Sequence, residues 1–150
     1  MKIAIGSDHG GFNYKQKIIN KLSNKYEFID VGALNYDPAD DYTKFSFLVG
    51  EGVASGCADM GIMICRTGVG AVIALNKIKG IRAGVLETEK GVYLARAKNN
   101  INVLSFGADN ISLAKALKII KIFLSTEFEG GRHQKRLEDI AEYESKKFKK

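Results

Sequence analysis

An open α/β sheet is the fold this sequence predicts, with five parallel strands in the middle, helices on both faces and one extra helix at the C-terminal end. Two patterns predict it. Short β-rich runs alternate with longer helical patterns along the chain, which is the rhythm of βαβ units. The run MGIMIC at 60–65 is apolar on both faces, as a strand covered by helices on both sides must be.

In order, KIAIGS (2–7) is the first strand, and apolar residues at helical spacing follow from Phe12 to about Leu22. EFIDVG (27–32) is the second strand, and Tyr42 to Ala54 the second helix. MGIMIC leads into a helix from about Ala71 to Lys77. Then come GIRAGVL (80–86), a helix over 88–98, NVLSFG (102–107) and a helix over 111–124. A last amphipathic helix, about 133–147, has no strand after it; it packs on the sheet or reaches across to a second subunit. In such a sheet ligands sit beyond the carboxyl ends of the strands. Here those ends are Ser7-Asp8-His9, Val31-Gly32, Cys65-Arg66-Thr67, Glu87-Thr88 and Gly107-Ala108-Asp109.

Composition removes several classes. The 150 residues, 45% hydrophobic and with one proline, show no linker or low-complexity tract, so residues 1–150 read as one domain. MKIAIGSDHGG is interrupted by Asp8 and His9 too early for a secretory signal, and no apolar run approaches the roughly 20 residues of a membrane span. Cys57 and Cys65 stand eight apart, which fits neither a redox pair nor half a zinc site. No metal set is apparent, and a reducing cytoplasmic location is the expectation. The net charge of +6 comes mostly from lysines scattered along helix faces. Solvated faces explain that better than a nucleic-acid stripe does, and no nucleic-acid module accompanies it.

The stretch GIMICRTGVG (61–70) concentrates the candidate chemistry. It lacks the GK[ST] of a phosphate-binding P-loop, and Ile73 occupies the third glycine position of a dinucleotide fingerprint. The backbone N–H groups of residues 66–70 at a helix start can hold an anion, while a plain strand-to-helix turn explains the glycines equally well. Cys65 sits at the mouth of that loop, where donors favour a thiolate able to act as base or nucleophile. A buried structural cysteine is the competing reading. Asp8 and His9 occupy the neighbouring strand end, able to orient hydroxyls or meet a phosphate; Asp8 could equally cap the next helix. Arg132, His133 and Arg136 form a second cationic group. Arg132 and Arg136 lie four apart on one helix face, suited to phosphate oxygens or to surface ion pairs. Together these residues point to a small phosphorylated or carboxylated ligand.

The motifs IGSDHGGF, DY at 41–42, ICxTGVG at 64–70, NKxxGIRA at 76–83 and STEFEGGRHQKR at 125–136 resemble those of type B ribose-5-phosphate isomerases. That family takes in galactose-6-phosphate isomerase subunits. The resemblance covers essentially the whole chain in order. It implies a Rossmann-like three-layer fold, a homodimer or dimer of dimers with active sites shared across the interface, and aldose–ketose isomerisation of a sugar phosphate without a cofactor. By the same resemblance, Cys65 is the base that moves a proton between C1 and C2 through a cis-enediolate. The amides of Arg66, Thr67, Gly68, Val69 and Gly70 stabilise the oxyanion, with Thr67 as proton donor or hydroxyl contact. Asp8 and Tyr42 hold sugar hydroxyls, and Asn99 contacts substrate from the partner subunit. His9, Arg132 and Arg136 bind phosphate, with His133 nearby.

Three positions depart from the family pattern. Lys98 stands where a ring-opening histidine is usual, Arg66 where glycine or serine is usual, and Asp109 where a phosphate-binding arginine is usual. The last two suggest a compensating exchange of charge. The first leaves Lys98 as a candidate catalytic group, or marks a changed substrate. A tetrose 4-phosphate cannot close a furanose and needs no ring opener. A hexose 6-phosphate as substrate, or sugar-phosphate binding without turnover, is also compatible with these motifs.

Overall fold

The computed structural model describes residues 1–147. Its elements are β1 (Lys2–Ser7), α1 (Phe12–Leu22), β2 (Glu27–Gly32), α2 (Tyr42–Ala54), β3 (Met60–Cys65), α3 (Val69–Leu75), β4 (Ala83–Val85), α4 (Glu89–Asn99), β5 (Val103–Gly107), α5 (Leu113–Ser125) and α6 (Arg132–Lys147). The five strands pair in parallel, in the order β2-β1-β3-β5-β4. The predicted sheet, its helical layers and the extra helix are all present.

Alternation along β3 explains the layering. Ile62 and Ile64 face a core built with Ile18 and Leu22 of α1, Val92 of α4, and Ile119, Ile120 and Phe123 of α5. Met63 and Cys65 face the opposite core, with Phe45 and Val49 of α2 and Ala71 and Leu75 of α3. Every one of these strand residues is buried, and each large apolar side chain so placed contributes roughly 1.5–3 kcal/mol. The apolar run in the sequence is therefore a strand with two cores, and Cys65 belongs to the α2–α3 side.

Several boundaries differ from the expectation by one to three residues, β4 and α3 among them. The run 80–86 yields only three strand residues, Ala83–Val85. Gly80 adopts φ +82°, Ile81 N–H closes a turn onto the Ile78 carbonyl, and Arg82 N–H donates to the Asn102 side chain at 2.8 Å. The Asn76 side chain both accepts from Ala83 N–H (2.9 Å) and donates to its carbonyl (3.0 Å), standing in for a neighbouring strand. The third helix starts at Val69 rather than Ala71, because the chain leaves its left-handed turn at Gly68. The final helix does not cover the sheet. It lies against α4, buries only His133, and accepts Gly80 N–H at Glu144 Oε2 (2.9 Å).

The order β2-β1-β3 places the reversal of strand order between β1 and β3. Their carboxyl ends, Ser7-Asp8-His9 and Cys65-Arg66-Thr67, lie side by side there. The crevice beyond those ends is where sheets of this kind take ligands.

Candidate active site

A cavity of about 270 Å³ occupies the crevice, lined by Asp8, His9, Asp40, Asp41, Tyr42, Cys65, Arg66, Thr67 and Gly70. Most of these groups arrive at a strand end or at the start of a helix, and Asp40 comes from the loop before α2.

Cys65 ends β3, is buried, and is a free thiol. Its Sγ accepts the N–H of Gly68 at 3.0 Å, so one amide of the glycine loop already points at the sulfur. The loop is held open by its neighbours. Cys65 and Arg66 carbonyls accept Ala108 and Asp109 N–H groups at 2.9 and 3.2 Å. The N–H groups of Arg66 and Thr67 have no protein acceptor among the described residues.

The two glycines of the loop have separate physical reasons. Gly68 sits at φ +81°, a region costing about 1–2 kcal/mol for a residue with a side chain. A Cβ there would also lie 3.0 Å from the Phe106 main chain. Gly70 makes room for Tyr42, because a Cβ would stand 2.6 Å from the ring. The Tyr42 phenol thus reaches the cavity across the bare face of α3.

Asp8 is buried, and its Oδ1 accepts the Gly11 N–H at 3.2 Å. The first helix has no side-chain cap; Asp8 holds the turn before the helix and also lines the cavity. Burial raises its pKa above the ordinary carboxylate value, partly offset by the Gly11 N–H and by His9. His9 Nδ1 lies 2.9 Å from Asp40 Oδ1, which also accepts the His9 backbone N–H at 2.8 Å. That contact raises the His9 pKa above its ordinary 6.5. Arg66 Nε donates to Asp109 Oδ2 at 3.0 Å. Arg66 and Asp109, the two positions at which the resemblance suggested an exchange of charge, are partners in one ion pair beside the cavity. Exposed pairs of this kind add little stability.

The remaining predicted residues lie elsewhere. Lys98 and Asn99 end α4, and Arg132, His133 and Arg136 begin α6; none of them lines the Cys65 cavity. Asn99 lines a separate groove of about 360 Å³ with Asn76, Arg82, Leu137, Ile140 and Glu144. Arg132 and Arg136 are exposed. His133 is buried, 3.9 Å from Glu129 Oε2 and 3.5 Å from Arg136 Nη1. Hydrogen bonds between the turns keep the two ends of this second cluster together. Arg96 donates to the Asn100 side chain (2.7 Å), the Ile101 carbonyl (2.6 Å) and the Thr126 carbonyl (3.2 Å). Glu129 N–H donates to the Ala97 carbonyl at 2.9 Å.

Asp40 is a cavity residue that sequence reasoning missed. It lies in an aperiodic loop, and only the acidic pair Asp40-Asp41 before Tyr42 could have drawn attention to it.

A buried thiol, carboxylates, an imidazole and a guanidinium at the switch point of a parallel sheet define a polar small-molecule site on a Rossmann-like fold. The chain belongs to the Ribose/Galactose Isomerase family, which it matches over residues 3–140. It is 42% identical over 147 residues to ribose-5-phosphate isomerase B of Escherichia coli strain K12, covering 97% of this chain and 98% of that one. Ribose-5-phosphate isomerase B of Clostridium thermocellum superposes with a TM-score of 0.94 at 44% identity, over 97% of this chain and 99% of the other. The Mycoplasma genitalium enzyme, solved with bound ribulose-5-phosphate, gives 0.92 at 41% identity, over 96% of each chain.

Proposed function

We propose that this protein interconverts ribose 5-phosphate and ribulose 5-phosphate, with Cys65 as the base. The observation that carries the reading is the place of Cys65: a free thiol at the strand end, its sulfur on the Gly68 N–H, opening into the cavity that holds Asp8, His9 and Tyr42. Family membership and the ribulose-5-phosphate bound to the Mycoplasma genitalium relative support the substrate.

In this mechanism the Cys65 sulfur, as thiolate, removes the proton from C2 of the open-chain aldose. The electron pair forms the C1–C2 double bond of a cis-enediolate, and the carbonyl oxygen takes the charge. The unengaged N–H groups of Arg66 and Thr67 are free to donate to that oxygen; a preorganised donor there contributes about 3–4 kcal/mol. Cys65 returns the proton to C1, and Thr67 or solvent passes the hydroxyl proton between O1 and O2. Asp8 and Tyr42 orient sugar hydroxyls. His9 and Arg66 take the phosphate from this chain. No step needs a cofactor.

Lys98, Asn99, Arg132 and Arg136 enter the reaction if a second copy presents its α4–α6 edge to the cavity. The active unit in this reading is a homodimer or a dimer of dimers, with partner arginines on the phosphate and the partner's Lys98 at the ring oxygen. Ile140 and Tyr143, 57% and 64% exposed on α6, give that edge an apolar surface to bury. The second reading rests on Lys98: without an imidazole there, a tetrose 4-phosphate that never cyclises is the competing substrate, ahead of a hexose 6-phosphate.

Turnover of ribose 5-phosphate and erythrose 4-phosphate, measured side by side, tests the proposal. Higher kcat/KM on the pentose is expected. Activity confined to the tetrose would overturn the pentose assignment, and inertness toward both would leave another sugar phosphate as substrate or a binding role.

A further inference from the structure

We propose that Asp40 is a positioning residue for anion recognition: it takes Nδ1 of His9, so that Nε2 is the ring nitrogen presented to the substrate phosphate. The proposal rests on the isomerase reading above and adds to it a residue outside the motifs that mark the family.

The geometry is specific. Asp40 lies in the loop between β2 and α2, and its side chain is only 10% exposed. One oxygen, Oδ1, receives both the His9 backbone N–H (2.8 Å) and the ring Nδ1 (2.9 Å). The other, Oδ2, is buried without a hydrogen-bond partner among the described residues. A desolvated carboxylate oxygen with no donor is costly unless a cation stands beside it. His9 is that cation when its ring carries two protons. Nε2 has no protein partner among the described residues, and His9 lines the cavity.

The chemistry follows from the two ring nitrogens. With Nδ1–H committed to Asp40, a neutral ring offers Nε2 as an acceptor, which repels a phosphate oxygen. The imidazolium offers it as a donor, in a charge-assisted bond. Asp40 thus decides two things at once: which nitrogen faces the ligand, and whether it carries a proton. Its contact is the largest reason that His9 titrates above 6.5, with Asp8 adding to it. Asp41, Tyr42, Cys65 and Arg66 complete the titratable lining.

A clasp that merely ties the loop to the end of β1 would make the same hydrogen bonds. Asp40→Asn separates the two roles, because its amide oxygen still accepts both N–H groups while the charge is gone. The chain has two histidines, so proton NMR follows both titrations, and His9→Asn assigns them. In Asp40→Asn the His9 pKa falls toward 6.5. Its KM for ribose 5-phosphate rises on the order of tenfold at pH 8, less than half as much at pH 5.5, and more than kcat changes. A KM change of equal size at both pH values, or an unmoved His9 pKa, would overturn the proposal and leave a clasp. Ribose 5-phosphate shifting the His9 resonance in a chain that turns nothing over would sink the isomerase reading and leave this one standing. Turnover with the His9 resonance unmoved by ribose 5-phosphate would sink this one alone.

Discussion

Replacing Gly68 by alanine attacks the loop that presents an amide to Cys65. Two costs add. The residue must hold φ +81°, at about 1–2 kcal/mol, less roughly 0.5–1 kcal/mol returned because alanine stiffens the unfolded chain. The new Cβ would stand 3.0, 3.1 and 3.3 Å from three main-chain atoms of Phe106, and Phe106 lies in β5, paired on both sides. A main chain so fixed cannot yield, and overpacking of this kind costs about 1–3 kcal/mol. Gly56 isolates the first cost: it has φ +79° and nothing within 4 Å of its Cβ position. Gly56→Ala should therefore lose roughly 0.5–1 kcal/mol and Gly68→Ala roughly 2–4. For a chain of this size those losses lower Tm by about 2–3 °C and about 6–13 °C. Calorimetry reads both, and isomerase assay should show kcat down about tenfold or more for Gly68→Ala alone, since the amide on Sγ is displaced. Equal Tm losses in the two variants would refute the contact with Phe106. An unchanged kcat in Gly68→Ala would refute the loop's role in catalysis.

Stability should fall as pH rises through two windows. His9, whose pKa is raised in the fold, contributes stability that is complete below about 6.5 and lost as pH climbs through its folded value. Asp8, an acid whose pKa is raised by burial, carries its full cost above its folded pKa and sheds it as pH falls toward 3.8. Urea titrations should lose the upper slope in His9→Asn and the lower one in Asp8→Asn; a variant keeping its slope contradicts the assignment. Arg66→Gly should raise the KM for ribose 5-phosphate several-fold with Tm changed by no more than a degree or two, because the exposed Arg66–Asp109 pair adds little stability. An unchanged KM would remove Arg66 from phosphate binding.

The sheet was legible because burial writes itself into composition. MGIMIC has two cores to face, and only apolar residues satisfy both. The fourth strand was legible only in position: its length is set by Asn76, a side chain seven residues upstream that replaces ladder hydrogen bonds. Lys15 shows the reverse failure. It reads as a solvated lysine on α1, yet it is fully buried, bonded to Asp30 and to the Ala33 carbonyl. In the site, Cys65, Asp8 and His9 were legible because two strand ends converge at a switch point, whereas Tyr42 was reached only through the family resemblance. The reason for the glycines was only half legible, since Gly70 answers to the Tyr42 ring, a contact between separate elements. Asp40 was not legible, because the path of the loop over 33–41 follows from no periodicity.

If Cys65 moves the proton, its removal should stop isomerisation and spare binding in Cys65→Ala. The variant should bind ribose 5-phosphate within a few-fold of the parent, by calorimetric titration, while its isomerisation rate falls by at least a thousandfold. Isomerisation persisting in Cys65→Ala within about tenfold of the parent rate would contradict the account and move the base to another group in the cavity.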